Sequence, residues 1–125
     1  MNMYELKTIT QFGAAHMLKN IGGKCEGLHG HNWKIETCIK GEKLDRNGLL
    51  IDFKDIKETV DRIIEGLDHK FLNELDYFKD RNPSSENIAR YIYDILGNSL
   101  NNENIKISRV TVWESDSACA TYTAR

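Results

Sequence analysis

The stretch KCEGLHGHNWKIETCIKG, residues 24–41, decides how the chain is read. From Trp33 onward it alternates: Trp33, Ile35, Thr37 and Ile39 fall on one face, with Lys34, Glu36 and Lys40 opposite. A period of two is that of a strand with one side in the core and one in water. Just before it stand Cys25, His29 and His31. His29 and His31 are two residues apart at the strand start, so their side chains point the same way. Two imidazoles on one face can chelate a metal.

Working outward, MYELKTITQF sets Tyr4, Leu6, Thr8, Thr10 and Phe12 against Glu5, Lys7 and Gln11, which is a second alternating strand. LDRNG reads as a turn, and NGLLIDF after it as a short apolar strand or extended lead-in. Asp52 reads as a helix N-cap, with Asp55 in a capping-box-like position. Phe53, Ile56, Val60, Ile63, Ile64 and Leu67 recur at helical spacing, giving an amphipathic helix over 53 to about 66. LDHKFLNELDYFKDRN is a long irregular connection, of the kind that often carries function. Pro83, the serines Ser84 and Ser85, and Glu86 open a second helix, with Ile88, Ile92, Ile95 and Leu96 as its stripe and Gly97–Asn98 as its exit. IKISRVTVWES and ACATYT form two closing strands, hinged at SDS. The order is strand, strand, helix, helix, strand, strand. One antiparallel sheet with both helices on one face satisfies every apolar face, which is an α+β architecture in a single domain, residues 1–125.

Composition narrows the function classes. The 125 residues fit one domain with a core. Lys and Arg number 17 against 19 Asp and Glu, a net charge of −2, which argues against a general nucleic-acid or anionic-membrane binder. No apolar run approaches the roughly 18 residues a membrane span needs. The opening MNMYELKTIT lacks the basic start and apolar core of a signal peptide. Cys25, Cys38 and Cys119 are therefore expected to be reduced, and the protein cytoplasmic.

His16 ends the strand that precedes His29 and His31, and antiparallel pairing would set the end of one strand beside the start of the next. Three histidines with an open fourth position is the pattern of catalytic zinc; the same residues also fit unrelated surface or core histidines. Cys25 reads either as a buried apolar thiol or, beside Lys24 and a metal, as a thiolate serving as base or ligand. Asp68 and His69 read as a surface pair or as a carboxylate orienting an imidazole for proton transfer. Glu114 lies in phase with Val110 and Val112: it either reaches solvent at the strand end or serves a ligand, since a buried carboxylate needs a partner.

FGAAHML, CEGLHGHNW, GLLIDFKDIK, LDHKFLN, NPSSENIARYIYD and VTVWESDSACATY resemble, in order, the motifs of the 6-pyruvoyltetrahydropterin synthase superfamily, from about Phe12 to Tyr122. The three-residue gap between Cys25 and His29 is similar to the bacterial branch that makes 6-carboxy-5,6,7,8-tetrahydropterin for queuosine and 7-deazaguanine biosynthesis. The resemblance implies a tunnelling fold, a four-stranded antiparallel sheet with two helices between its hairpins. It implies trimeric barrels stacked into a homo-hexamer, with active sites between subunits. It gives zinc to His16, His29 and His31, proton abstraction to Cys25 and a second proton transfer to Asp68 and His69. It makes Glu114 the anchor of the pterin's guanidine-like edge, with Ser84 and Ser85 nearby. The implied substrate is 7,8-dihydroneopterin triphosphate. The alternatives are a pyruvoyltetrahydropterin synthase, a dihydroneopterin side-chain aldolase, or a zinc-binding interaction domain without catalysis. Ser84, Ser85 and Trp33 stand where relatives often carry other residues, which bears on fine substrate preference.

Overall fold

Four antiparallel strands in the order β1-β2-β3-β4 form one sheet, and two helices connect its two hairpins. The computed structural model describes residues 2–20, 22–23 and 26–124; Cys25 lies outside them. The elements are β1 (Tyr4–His16), β2 (His29–Gly41), α1 (Phe53–Glu65), α2 (Ser85–Leu100), β3 (Ile105–Ser115) and β4 (Ala118–Tyr122). The α+β order expected from the alternation is the order observed.

The core forms between the sheet and the helices. Phe12, Ala14 and His16 of β1 face inward with Trp33, Ile35 and Ile39 of β2, against Ile56, Val60 and Ile63 of α1 and Ile88, Ile92 and Leu96 of α2. Burying such side chains contributes about 1.5–3 kcal/mol each before entropy is set against it. Trp33 is fully buried, and its indole N–H finds a partner in the Ala14 carbonyl at 3.2 Å. Gly41 is required by packing. A Cβ there would lie 2.8 Å from the Asn104 carbonyl oxygen, which is backbone and cannot turn away.

Two bulges set the phase of β3. Cys38 pairs with Arg109 but Ile39 with Ile107, so Ser108 is the extra residue. The buried row therefore passes from Ile105 and Ile107 to Val110 and Val112. Trp113 pairs with Cys119 but Ser115 with Ala118, which leaves Glu114 as the extra residue of the second bulge. Bulges re-aim side chains at sheet ends.

Local details sharpen the expectations. Residues 47–52 take the second of the two forms read for this stretch, a lead-in to α1 and not a strand, and the Asp45 carboxylate accepts the N–H groups of Asn47 and Leu49 to close the turn before it. The long connection contains two single 3₁₀ turns, Leu72–Glu74 and Asp76–Phe78. Finally, α2 does not stop at Gly97 but runs to Leu100. Asn101 caps it, its N–H bonded to the Gly97 carbonyl and its side chain accepting from the Ile107 N–H at 2.7 Å. Gly97 leaves room for that side chain, since a Cβ there would sit 3.2 Å from its amide nitrogen.

Candidate metal centre and adjoining pocket

Antiparallel register pairs His16 with His29, the last residue of β1 with the first of β2, and Ala14 with His31. The three imidazoles converge, and one ligand atom from each, together with one from Glu114, lies within 4.8 Å of all the others. Their rings stand nearly perpendicular to one another, with centroids 4.5, 4.7 and 5.2 Å apart. Trp33 closes the floor, edge-on to His16 at 4.9 Å and to His31 at 5.1 Å.

Hydrogen bonds behind the rings fix their tautomers. His16 donates from Nδ1 to the Pro83 carbonyl at 2.8 Å, and His29 from Nδ1 to the Gly27 carbonyl at 2.8 Å. A carbonyl can only accept, so each Nδ1 carries the proton and each Nε2 presents a lone pair in the neutral ring. Those two Nε2 atoms face each other at 3.0 Å. Two lone pairs at that distance repel unless a proton or a cation lies between them. His31 Nε2 is buried without a hydrogen-bond partner: Glu114 Oε1 lies 2.9 Å away but off the hydrogen-bonding line. Burial holds the His31 pKa below its usual value; Glu114 pulls it up, while His16 and His29 push it further down. Convergent lone pairs, an orphaned ring nitrogen and an acid at the rim fit a divalent cation. Three nitrogens and an oxygen are a donor set that zinc accepts. Glu26 adds a second acid at the rim, 3.2 Å from His29 Nε2.

Glu114 also walls a second space. Its Oε2 accepts from the Ser85 hydroxyl at 3.3 Å. Beside it, Ser85, Glu86, Ala118, Cys119 and Ala120 line a cavity of about 260 Å³. Ser84, the neighbouring expected site residue, uses its hydroxyl oxygen as the N-cap of α2, accepting from the Asn87 N–H at 3.2 Å.

Asp68 and His69 come together, but not at the histidine cluster. Asp68 accepts the Gly13 N–H at 2.9 Å and meets His69 Nδ1 at 3.0 Å. The Gly13 bond, more than the His69 contact, holds the Asp68 pKa below the usual carboxylate value. His69 has a left-handed backbone, φ 58°, which a non-glycine residue holds only at a cost of about 1–3 kcal/mol. It is fixed there by its N–H to the Gly13 carbonyl, and Ala15 N–H bonds the Lys70 carbonyl, so this segment lies along the outer edge of β1. The His69 side chain is 88% exposed and is absent from the donor cluster among the described residues.

The comparisons with known proteins agree with this geometry. The model of the family described as 6-pyruvoyl tetrahydropterin synthase matches residues 5–125. The chain belongs to that family. It is therefore a pterin-metabolising enzyme of the lyase type, and the His16–His29–His31–Glu114 cluster is consistent with a metal site. Within the 6-pyruvoyl tetrahydropterin synthase family, the chain is 34% identical over 105 residues to a dihydroneopterin monophosphate aldolase of Pyrococcus furiosus, covering 84% of each chain. It is 28% identical over 142 residues to a 6-carboxy-5,6,7,8-tetrahydropterin synthase of Haemophilus influenzae, covering 96% of this chain and 99% of that one. The solved 6-pyruvoyl tetrahydropterin synthase of Caenorhabditis elegans superposes with a TM-score of 0.88 at 26% identity, covering 100% of this chain and 98% of that one. These relatives carry three different reaction names, so similarity alone fixes the family and not the reaction. No helix among the described residues is long and apolar enough to cross a membrane.

What the sequence reading missed is mostly support. The Pro83 and Gly27 carbonyls, the Trp33 floor and the approach of Glu114 to His31 carry no motif. Pro83 was legible as a helix start, and that position is what places its carbonyl behind His16.

Proposed function

We propose that the protein converts 7,8-dihydroneopterin triphosphate, with uptake of water, to 6-carboxy-5,6,7,8-tetrahydropterin, acetaldehyde and triphosphate. This is the step that feeds queuosine and 7-deazaguanine biosynthesis. The supporting observation is that Glu114 is shared, with one oxygen toward the histidine cluster and the other on Ser85 in the adjoining cavity. A flat pterin held in that cavity would lie next to the histidines. The carboxylate would accept two N–H groups of its guanidine-like edge, a paired charge-assisted contact. Ala118 and Ala120 leave the space for the ring.

His16, His29 and His31 would hold zinc, which when bound supplies a Lewis acid for oxygens of the substrate's side chain. Cys25, four residues before His29, is assigned proton removal from the side-chain carbon. Asp68 keeps the His69 imidazole oriented through the contact at Nδ1, which suits the second proton transfer. Because His69 is exposed and away from the cluster, that role needs a neighbouring subunit. Among the described residues the β4 edge and the β1 edge up to Phe12 are open for such assembly, in keeping with a homo-hexamer. The unpaired thiols of Cys38 and Cys119 suit a reducing cytoplasm.

A second reading has its own support in the Pyrococcus furiosus relative: retro-aldol cleavage of a dihydroneopterin side chain, giving a 6-hydroxymethyl pterin and a two-carbon aldehyde. Incubating zinc-loaded protein with 7,8-dihydroneopterin triphosphate and weighing the pterin by mass spectrometry separates them. Carboxytetrahydropterin with acetaldehyde is the expected result. A pyruvoyl or hydroxymethyl product would overturn the proposed reaction while keeping the family.

A further inference from the structure

The groove between the two helices takes no part in the chemistry above. Its volume is about 370 Å³, in the range that holds a small organic molecule, and none of the histidine-cluster residues lines it. Thr59, Ile63 and Gly66 come from one face of α1 and its cap, four and three residues apart. Tyr91, Ile95 and Ser99 come from α2 at steps of four, so one face of each helix meets the other here.

Its chemistry is one-sided. Among the described residues that line it, Arg62 is the one charged side chain, and it forms no ion pair. The guanidinium is nonetheless held in place. Its Nη2 donates to the Thr59 hydroxyl at 3.3 Å, and that buried hydroxyl donates in turn to the Asp55 carbonyl at 2.9 Å. One N–H of the fork is used and the others remain for a ligand. On the α2 side stands the Tyr91 phenol. Burial, and after it the Tyr77 phenol, raises its pKa, so it keeps its proton and can donate. Ile63 and Ile95 supply apolar surface, and the Ser99 hydroxyl is committed to the Ile95 carbonyl at 3.1 Å.

Gly66 keeps the groove open. It caps α1 at φ −72°, which any residue adopts, so the backbone does not require a glycine there. A Cβ would meet only the Ile63 carbonyl oxygen, at 3.3 Å, and a longer side chain would run into the groove. The same groove touches the connection between the helices at two points. Gly66 stands two residues before Asp68. Tyr91 packs on Tyr77 and Phe78 of the second 3₁₀ turn, with ring centroids 4.7 and 5.7 Å apart. Arg81, two residues before the Pro83 whose carbonyl holds His16, lies 4.2 Å over the Tyr77 ring.

We propose that the α1–α2 groove is a second ligand site, for a small planar carboxylate, and that its occupant steadies the connection carrying Asp68 and His69. An unpaired guanidinium with no acid beside it calls for an anion, and a single cation matches a carboxylate better than a doubly charged phosphate. The carboxylate pairs with Arg62 and accepts from Tyr91, while the flat body lies against Ile63 and Ile95 in the space that Gly66 leaves. Binding there is independent of the pterin reading; any effect on turnover rests on the role given above to Asp68 and His69.

The probe is 2-naphthoate, with 2-naphthalenemethanol as its uncharged counterpart, titrated by fluorescence on the full chain in its native assembly. The wild type is expected to bind naphthoate about fivefold or more tightly than the alcohol, a preference that salt weakens. Arg62→Gln should abolish the preference and leave the affinity for the alcohol, which also shows that the variant is folded. Gly66→Leu should weaken both compounds. Saturating naphthoate should slow amide hydrogen exchange over residues 66–79 in the wild type and not in Gly66→Leu. No preference for the anion, a preference that survives Arg62→Gln, or unchanged binding in Gly66→Leu overturns the site. Binding without slowed exchange makes the groove a passive pocket and overturns its hold on the connection.

Discussion

His16 Nδ1 and the Pro83 carbonyl, 2.8 Å apart, tie the end of β1 to the residue two before α2 and thereby set which nitrogen of His16 faces the cluster. With His29 held the same way, the two Nε2 lone pairs converge, and the arrangement is at rest only with a cation or a proton among them. The protein is expected to bind one zinc per chain, with ligand nitrogens at about 2.0–2.1 Å. Chelation should lower the melting temperature, because a ligand of the folded state alone stabilises it. His16→Ala should lose most of the metal. Elemental analysis and a melt with and without chelator decide, and undiminished zinc in the variant would remove His16 from the ligand set.

Cys25→Ala is expected to fold and keep its zinc while turnover falls by about 10²–10⁴-fold, the usual contribution of a positioned acid or base. Metal content is the control. If zinc is lost with the thiol, Cys25 is a ligand first and the proton-transfer role passes elsewhere.

The fold was readable because its faces are consistent: the even residues of β1 from Leu6 to Phe12 and the odd residues of β2 from Trp33 to Ile39 face the helices, as their alternation requires. The histidine trio was readable for the same reason, since strand register alone brings His16 to His29. The helix end at Leu100 was not, because Gly97 serves the Asn101 side chain rather than a chain reversal. Nor was the closeness of Glu114 to His31. It depends on two bulges, at Ser108 and at Glu114 itself, and a bulge is one inserted residue with no composition of its own.

Asp68 gives a prediction in pH. Its carboxyl is held below the ordinary range, first by the Gly13 N–H and also by His69. Since the folded value is the lower one, the unfolded chain binds more protons in acid. The contribution is therefore complete above about pH 4 and is lost as pH falls through the folded value. Asp68→Asn removes the titration. The gap in urea midpoint between wild type and variant should be widest near neutrality and should narrow below about pH 4. A gap of constant size across that range would mean that the charge of Asp68 contributes nothing to folding.

Glu114→Gln tests the shared wall. The carboxylate has one oxygen 2.9 Å from His31 Nε2 and the other accepting from Ser85. Glutamine keeps the shape and one acceptor but turns the other position into an N–H donor, which would confront an N–H of the pterin. Breaking a charged hydrogen bond in this way costs about 1.5–3 kcal/mol, or roughly 10–100-fold in affinity. Neopterin binding should fall by that much. Zinc should remain, because three imidazoles still hold it, and the size of the assembly should not change. Fluorescence titration, elemental analysis and gel filtration on the one variant separate the roles. Unchanged neopterin affinity would take Glu114 out of the pterin pocket. Loss of zinc would make it an indispensable metal ligand, and dissociation into smaller species would make it an interface residue.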